Sequence, residues 1–110
     1  MRIILKEVID GDAKVVWEKE FTPMCPDDEE SIIREAFDVA LCNYIMSQFP
    51  EGLGVHSLVC MSKGNGDLER RYFCSGRNVR IKYNSSGMEV EDHSCKDRIY
   101  ILLVKPNEGE

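Results

Sequence analysis

The sequence predicts an α+β fold in which one long amphipathic helix packs on an antiparallel or mixed β-sheet. Residues 26–49 carry apolar side chains at steps of three and four, which is the period of a helix. Most of the remaining chain consists of short apolar or alternating segments divided by Gly, Pro, Asn and Asp, which is typical of strands and turns. A chain of 110 residues with 43% hydrophobic residues suits a single domain spanning 1–110. We expect a β-hairpin, then the helix, then four or five strands.

The first predicted element is a β-hairpin from Arg2 to Phe21 that turns at Asp10-Gly11-Asp12. We expect a three-residue loop, because that register pairs Arg2 with Glu20 and gathers the apolar residues on one face. A two-residue Asp-Gly turn is the alternative, and it mixes apolar and charged residues on both faces. The apolar face of the expected register holds Ile3, Leu5, Ile9, Ala13, Val15 and Trp17.

The helix is predicted to begin at Pro26 and to end before Pro50. Four acidic residues follow Pro26 and would lie at the positive end of the helix dipole. A later start with Ser31 as the N-cap is the alternative. The helix needs a flat apolar surface to lie on, and the strands would supply it. Its apolar stripe contains Ile33, Phe37, Ala40, Leu41, Tyr44 and Ile45.

Two strands, Val55 to Ser62 and Leu68 to Ser75, are predicted after the helix, with a turn at 63–67 between them. Gly76 is predicted to mark a turn or a bulge before the next strand. The final run, 99–104, is apolar without alternation, so we expect a central strand that is covered on both faces. It would lie between the first hairpin and the later strands.

A second hairpin is predicted from Val79 to His93, with a loop at 84–87. In one register, apolar residues pair with each other across the strands on one face. On the other face, basic residues pair with acidic ones, as cross-strand pairing favours. Its four pairs are Tyr83 with Met88, Ile81 with Val90, Lys82 with Glu89, and Arg80 with Glu91.

The order of elements in residues 1–50, a hairpin followed by a helix, is similar to that of ubiquitin-like β-grasp proteins. This resemblance is topological, and it implies a β-grasp-like sheet as an alternative architecture.

The net charge of −6 comes from residues 1–50, which carry 5 basic and 11 acidic side chains, whereas 51–110 carry 9 of each. An acidic field disfavours extended nucleic-acid binding and suits a basic protein partner. No apolar run is long enough to cross a membrane. The five cysteines are scattered, without a Cys-x-x-Cys pair, which favours a reduced, cytoplasmic protein with no bound metal.

Two surfaces are candidate binding sites. Aromatic and basic residues that follow one another on a strand can hold an anionic or nucleotide-like ligand, and here they are Arg70, Arg71, Tyr72 and Arg77. The acidic residues of the helix could contact a basic protein, and they are Asp27, Asp28, Glu29, Glu30, Glu35 and Asp38.

A thiol site is the third candidate. Cys25 precedes the predicted helix N-terminus, a setting that lowers a thiol pKa, and His56 or His93 could be its base. The adjacent carboxylates oppose that effect.

These patterns favour a small acidic, non-enzymatic binding protein of adaptor or inhibitor type that needs no cofactor. A binder of a small anionic ligand on the sheet face and a thiol-dependent enzyme using Cys25 are the alternatives. A homodimer is also expected, through the edge strand at Val55 to Met61, where no edge protection is visible.

Overall fold

The computed structural model describes residues 1–49, 52–62, 66–94 and 97–106, without the side chains of 58–62, 77–82 and 90–94. One helix packs against a five-stranded antiparallel sheet, and a two-stranded ribbon continues from that sheet. This arrangement confirms the predicted α+β fold. The elements are β1 (Arg2–Ile9), β2 (Asp12–Glu20), α1 (Glu29–Asn43), a 3₁₀ turn (Ile45–Gln48), β3 (Leu53–Ser62), β4 (Leu68–Asn84), β5 (Gly87–Ser94) and β6 (Arg98–Lys105).

The last strand lies at the centre of the sheet, as its unbroken apolar run predicted. The strand order is β2-β1-β6-β4-β3, and all of these pairings are antiparallel. Tyr100, Leu102 and Val104 are fully buried in the core beneath the helix, and Ile101 and Leu103 are each only 8% exposed. Residues 1–49 follow the hairpin-then-helix order, and the β-grasp-like alternative stays a prediction.

The first hairpin turns on two residues, so the predicted three-residue loop is wrong. Ile9 pairs with Asp12, which leaves Asp10 and Gly11 as the turn. Their φ angles of 52° and 85° are the left-handed values that a type I′ turn needs at both central positions. A type I′ turn matches the right-handed twist of the two strands. This match decides the turn, although it mixes apolar and charged side chains on both faces near the turn.

A bulge in β2 restores the predicted register at the open end of the hairpin. The register shifts opposite the step from Leu5 to Lys6, so Leu5 lies opposite Trp17 and Arg2 opposite Glu20. The predicted apolar face therefore holds only at this end. Near the turn the apolar side chains are exposed: Ile9 by 38% and Val15 by 53%.

The helix begins between the two predicted starts, with Asp28 as its N-cap. The Asp28 carboxylate accepts hydrogen bonds from the Glu30 N–H at 3.2 Å and from the Ser31 hydroxyl at 2.8 Å. Asp28, three residues before Ser31, is therefore the residue that satisfies free backbone N–H groups in the first turn of the helix. Pro26 lies in the turn that precedes the helix.

The helix also ends earlier than predicted, at Asn43. The Asn43 side-chain amide donates to the Val39 carbonyl oxygen at 2.7 Å, a local bond that competes with the backbone ladder. The chain then tightens into the 3₁₀ turn, where Ile45 is fully buried.

Small residues let the helix lie close to the sheet. Ala36 and Ala40 are fully buried in the core between Ile32, Ile33 and the central strands. The Phe37 ring stacks on Tyr72 of β4, with ring centroids 4.0 Å apart.

β4 runs without a break through Gly76, so the predicted turn or bulge there is wrong. Its pairing with β3 ends at Gly76, its pairing with β6 ends at Cys74, and its pairing with β5 begins at Arg77. Gly76 marks the place where β4 changes partners, because a new antiparallel neighbour takes over the strand hydrogen bonds. The predicted turn at 63–67 falls mainly on 63–65, which lie outside the described residues.

The register of the second hairpin is confirmed. Each of the four predicted pairs is observed: Tyr83 with Met88, Ile81 with Val90, Lys82 with Glu89, and Arg80 with Glu91.

Candidate interaction surface

A two-stranded ribbon projects from the sheet, and we call it the arm. It consists of residues 77–84 of β4, the turn at 85–86, and β5. Eight strand residues span about 26 Å at about 3.3 Å per residue. The whole molecule measures 67 × 31 × 20 Å, so the arm contributes to a strongly elongated shape.

The tip of the arm exposes two large apolar side chains next to each other. Tyr83 and Met88 form a cross-strand pair, and they are 79% and 61% exposed. The turn between them is well formed, because the Asn84 side-chain oxygen accepts the Ser86 N–H at 2.9 Å. Gly87 closes it with φ of 129°, which favours glycine. The exposed pair is therefore held on a defined turn.

Both outer strands of the five-stranded sheet carry a β-bulge. β2 has one opposite Leu5 and Lys6, and β3 has one between Ser57 and Val59. Bulges at sheet edges disturb the row of free backbone groups and hinder pairing with another chain. The edge at Val55 to Met61 thus has a protection that the sequence did not reveal.

The arm, by contrast, has a regular free edge. Only three residues separate the end of β5 at Ser94 from the start of β6 at Arg98. Ser94 pairs with Arg77 of β4, and Arg98 pairs with Cys74 of β4. Three residues are too few to cross over β4, so β5 lies on the β6 side. On the other side β3 begins at Leu53 opposite Gly76, and no described strand continues along 77–84. The arm pairs without any register shift.

A concavity of about 360 Å³ lies where β3 begins, at the base of this free edge. Gly54 pairs with Ser75, and His56 is the next residue of β3 on the same face. Alternation along β4 puts Ser75 and Tyr83 on one face as well. The lining residues are Gly52, Leu53, Gly54, His56 and Ser75.

The predicted anion-binding residues do not converge on one face. The Arg70 guanidinium bonds the Glu30 carboxylate at 2.6 Å, which ties β4 to the helix, and its side chain is only 13% exposed. Tyr72 is buried against Phe37. Arg71 is exposed and alternates to the opposite face, and the side chain of Arg77 lies outside the described part. Anion binding here stays a prediction.

Several of the predicted acidic contact residues have roles within the fold. Asp28 caps the helix, Glu30 holds Arg70, and both Glu35 carboxylate oxygens accept the Met24 N–H at 3.1 and 3.2 Å. Glu29 also makes an internal interaction. Asp27 and Asp38 are exposed on this surface.

The N-terminal contacts of the helix make stability depend on pH. The Ser31 hydroxyl lowers the pKa of Asp28, and the Arg70 guanidinium lowers the pKa of Glu30. A lowered folded-state pKa stabilises the protein above the unfolded-state pKa of about 4, and the effect is lost as the pH falls through the folded-state value.

We therefore expect the double variant Asp28→Asn, Glu30→Gln to melt below the wild type at pH 7, by a small margin because both groups are exposed. The difference in Tm should shrink as the pH falls from about 5 to about 2, where the wild-type carboxylates become protonated. Thermal melts followed by circular dichroism measure it. A difference that stays constant with pH would contradict the assignment.

The thiol candidates lie on different elements of the fold. Cys25 is exposed in the loop before α1, and His56 is exposed on the edge strand β3. The side chain of His93 lies outside the described part. Cys74 is fully buried, and burial raises its pKa to about 11, so this thiol stays protonated. Thiol chemistry at Cys25 stays a prediction. The described residues contain no group of three or more His, Cys, Asp or Glu side chains placed to hold a metal ion.

A polar cluster that the sequence did not reveal lies under the end of the helix. The Arg98 guanidinium is 2.9 Å from the Gln48 side-chain oxygen and 3.3 Å from the Glu7 carboxylate. Tyr100 lies beside them, fully buried, and its hydroxyl interacts with the Arg98 guanidinium. Burial raises the pKa of Tyr100 to about 12, so the hydroxyl is a neutral group.

No family model, curated protein or solved structure matches this chain. In the described residues no helix has the length and apolar character needed to span a membrane.

Proposed function

We propose that this chain is a non-enzymatic binding protein of adaptor or inhibitor type, and that it contacts its protein partner through the arm. The observation that carries this proposal is the exposed Tyr83–Met88 pair at the tip. A two-stranded ribbon on its own is marginally stable in water. A partner that covers the Tyr83–Met88 pair would stabilise the arm and gain binding energy from the same contact.

The chemistry of the tip suits protein recognition. Tyrosine gives a large rigid contact area with a polar hydroxyl, and aromatic residues and methionine are enriched in protein interfaces. Methionine adapts its flexible side chain to the shape of the surface that it meets. The turn residues Asn84 and Ser86 add polar groups around this apolar centre, an arrangement typical of interfaces.

Charge gives a second expectation about the partner. The chain has a net charge of −6, and Asp27 and Asp38 are exposed on the helix side. Such a field speeds the approach of a basic protein and disfavours an acidic one. We place the protein in the cytoplasm, since its scattered cysteines suit a reducing compartment.

The arm is tested by affinity capture from the cells that express the protein. We expect the double variant Tyr83→Ser, Met88→Ser to retain its partners at least about tenfold less well than the wild type, since truncating an interface anchor has effects of this size. Met24→Ser is the matched control, because Met24 is 86% exposed but lies in the loop before α1, away from the arm.

The two sets of variants should melt at the wild-type temperature, because all three side chains are exposed. Equal capture by the wild type and the arm variant would count against the arm as the contact surface.

A further inference from the structure

The free edge of the arm has the form of one half of a two-fold interface, and we propose that a second copy of this chain pairs with it. This inference rests on the proposed binding function of the arm and adds a second copy as a partner there. The arm belongs to residues 51–110, which carry 9 basic and 9 acidic side chains, so the acidic field of residues 1–50 does not oppose this contact. An antiparallel pair of identical strands is related by a two-fold axis, so each copy contributes the same residues and the contact closes as a dimer.

The beginning of β3 limits the register of this pairing. Leu53 lies opposite Gly76, and Gly52 precedes it on the side of Arg77, so a strand from the second copy can extend along β4 only as far as Asn78. The longest two-fold overlap then contains residues 78–84 of each copy, which puts Tyr83 of the second copy opposite Val79, with the two-fold axis at Ile81. The arm of each copy then lies in line with β3 of the other.

This register brings each arm tip to the concavity at the base of the other arm. Tyr83 of the second copy would lie opposite Val79, on the same face as Ser75, and the tip of its arm would lie beside Gly52 at the rim of the concavity. The concavity of about 360 Å³ opens there, and its size is within the range of pockets that hold small ligands. Gly52 and Gly54 leave bare backbone in its wall, so an aromatic ring can approach closely.

Both halves of the contact are thus present in one chain. The exposed Tyr83 has no cover among the described residues, and the concavity lies at the one strand end where a paired copy would place it. His56 in the lining offers a polar partner for the tyrosine hydroxyl. The bulged edges of β2 and β3 direct self-pairing away from the sheet and towards the arm.

Seven residues from each copy make a small interface, so we expect a reversible dimer with a dissociation constant on the order of micromolar or weaker. Sedimentation equilibrium over about 5 to 500 µM covers this range and measures the monomer–dimer equilibrium of the full chain.

Two variants test the geometry. Tyr83→Ser removes the ring, and Gly54→Val fills the concavity, with a new Cβ 3.2 Å from the Ser75 hydroxyl oxygen. We expect each to weaken self-association about tenfold or more. Met24→Ser should leave it unchanged. Thermal melts of each variant confirm that a loss of dimer is not a loss of fold, and Tyr83→Ser remains informative if Gly54→Val unfolds.

A wild-type chain that stays monomeric over the whole range would overturn the proposal. A dimer that neither Tyr83→Ser nor a folded Gly54→Val weakens would overturn it too, because the contact would then lie elsewhere. The wider function is judged separately. If the chain is monomeric but Tyr83→Ser, Met88→Ser loses captured proteins, the arm binds a different partner; if capture is also unchanged, both proposals fail.

Discussion

Replacing Leu102 with Ala is expected to lower the free energy of unfolding by about 2–5 kcal/mol. Leu102 is fully buried in the core, and it pairs with Leu5 on one side and Arg70 on the other, at the middle of the sheet. The truncation loses apolar burial and leaves a cavity that the paired strands cannot close. Most domains are stable by only about 5–15 kcal/mol, so this is a large share of the total.

Urea denaturation measures this loss directly, and the Tm should fall by about 10 °C or more. Val15→Ala is the matched control, because Val15 is also an apolar strand residue but is 53% exposed on the outer strand β2. Its effect should be well below that of Leu102→Ala. Similar losses for the two variants would contradict the central position of β6.

The parts of the fold that were predicted correctly are those in which several nearby residues independently favour the same strand pairing or the same burial. In the second hairpin, apolar pairs and opposite-charge pairs select the same register, so the local pattern fixes the pairing. In β6, an apolar run without alternation, rich in β-branched residues, is typical of a strand covered on both faces, and the buried residues of β6 agree with it.

Other features depend on contacts that a local pattern does not contain. Asp28 and Ser31 are both good N-caps, and the choice places Glu30 within reach of Arg70, which is distant in sequence. Gly76 is typical of a turn, but a change of strand partner keeps the chain extended there.

The candidate surface was only partly visible in the sequence. Tyr83 and Met88 were predicted to face each other, but the same pattern describes a buried pair and an exposed one. What exposes them is the length of β4 beyond the sheet, which follows from the partners of the strand. Arg70 and Arg71 are adjacent in sequence and lie on opposite faces, so a basic run on a strand cannot by itself define a site.

Replacing Ala36 with Leu is expected to destabilise the protein by about 1–3 kcal/mol, although leucine is a good helix former. Ala36 is fully buried at the helix–sheet contact, one turn from the equally buried Ala40. A larger side chain there has no free space, so it must push α1 away from the sheet. That displacement would also strain the 4.0 Å stacking of Phe37 on Tyr72.

Asp38→Leu separates this packing effect from helix propensity. Asp38 is exposed on the same helix, so a leucine there meets solvent and should change stability by no more than about 0.5 kcal/mol. Urea denaturation of the two variants gives both values, and near-ultraviolet circular dichroism reports the aromatic contact. If Ala36→Leu were as stable as the wild type, α1 could not lie as close to the sheet as its two buried alanines require.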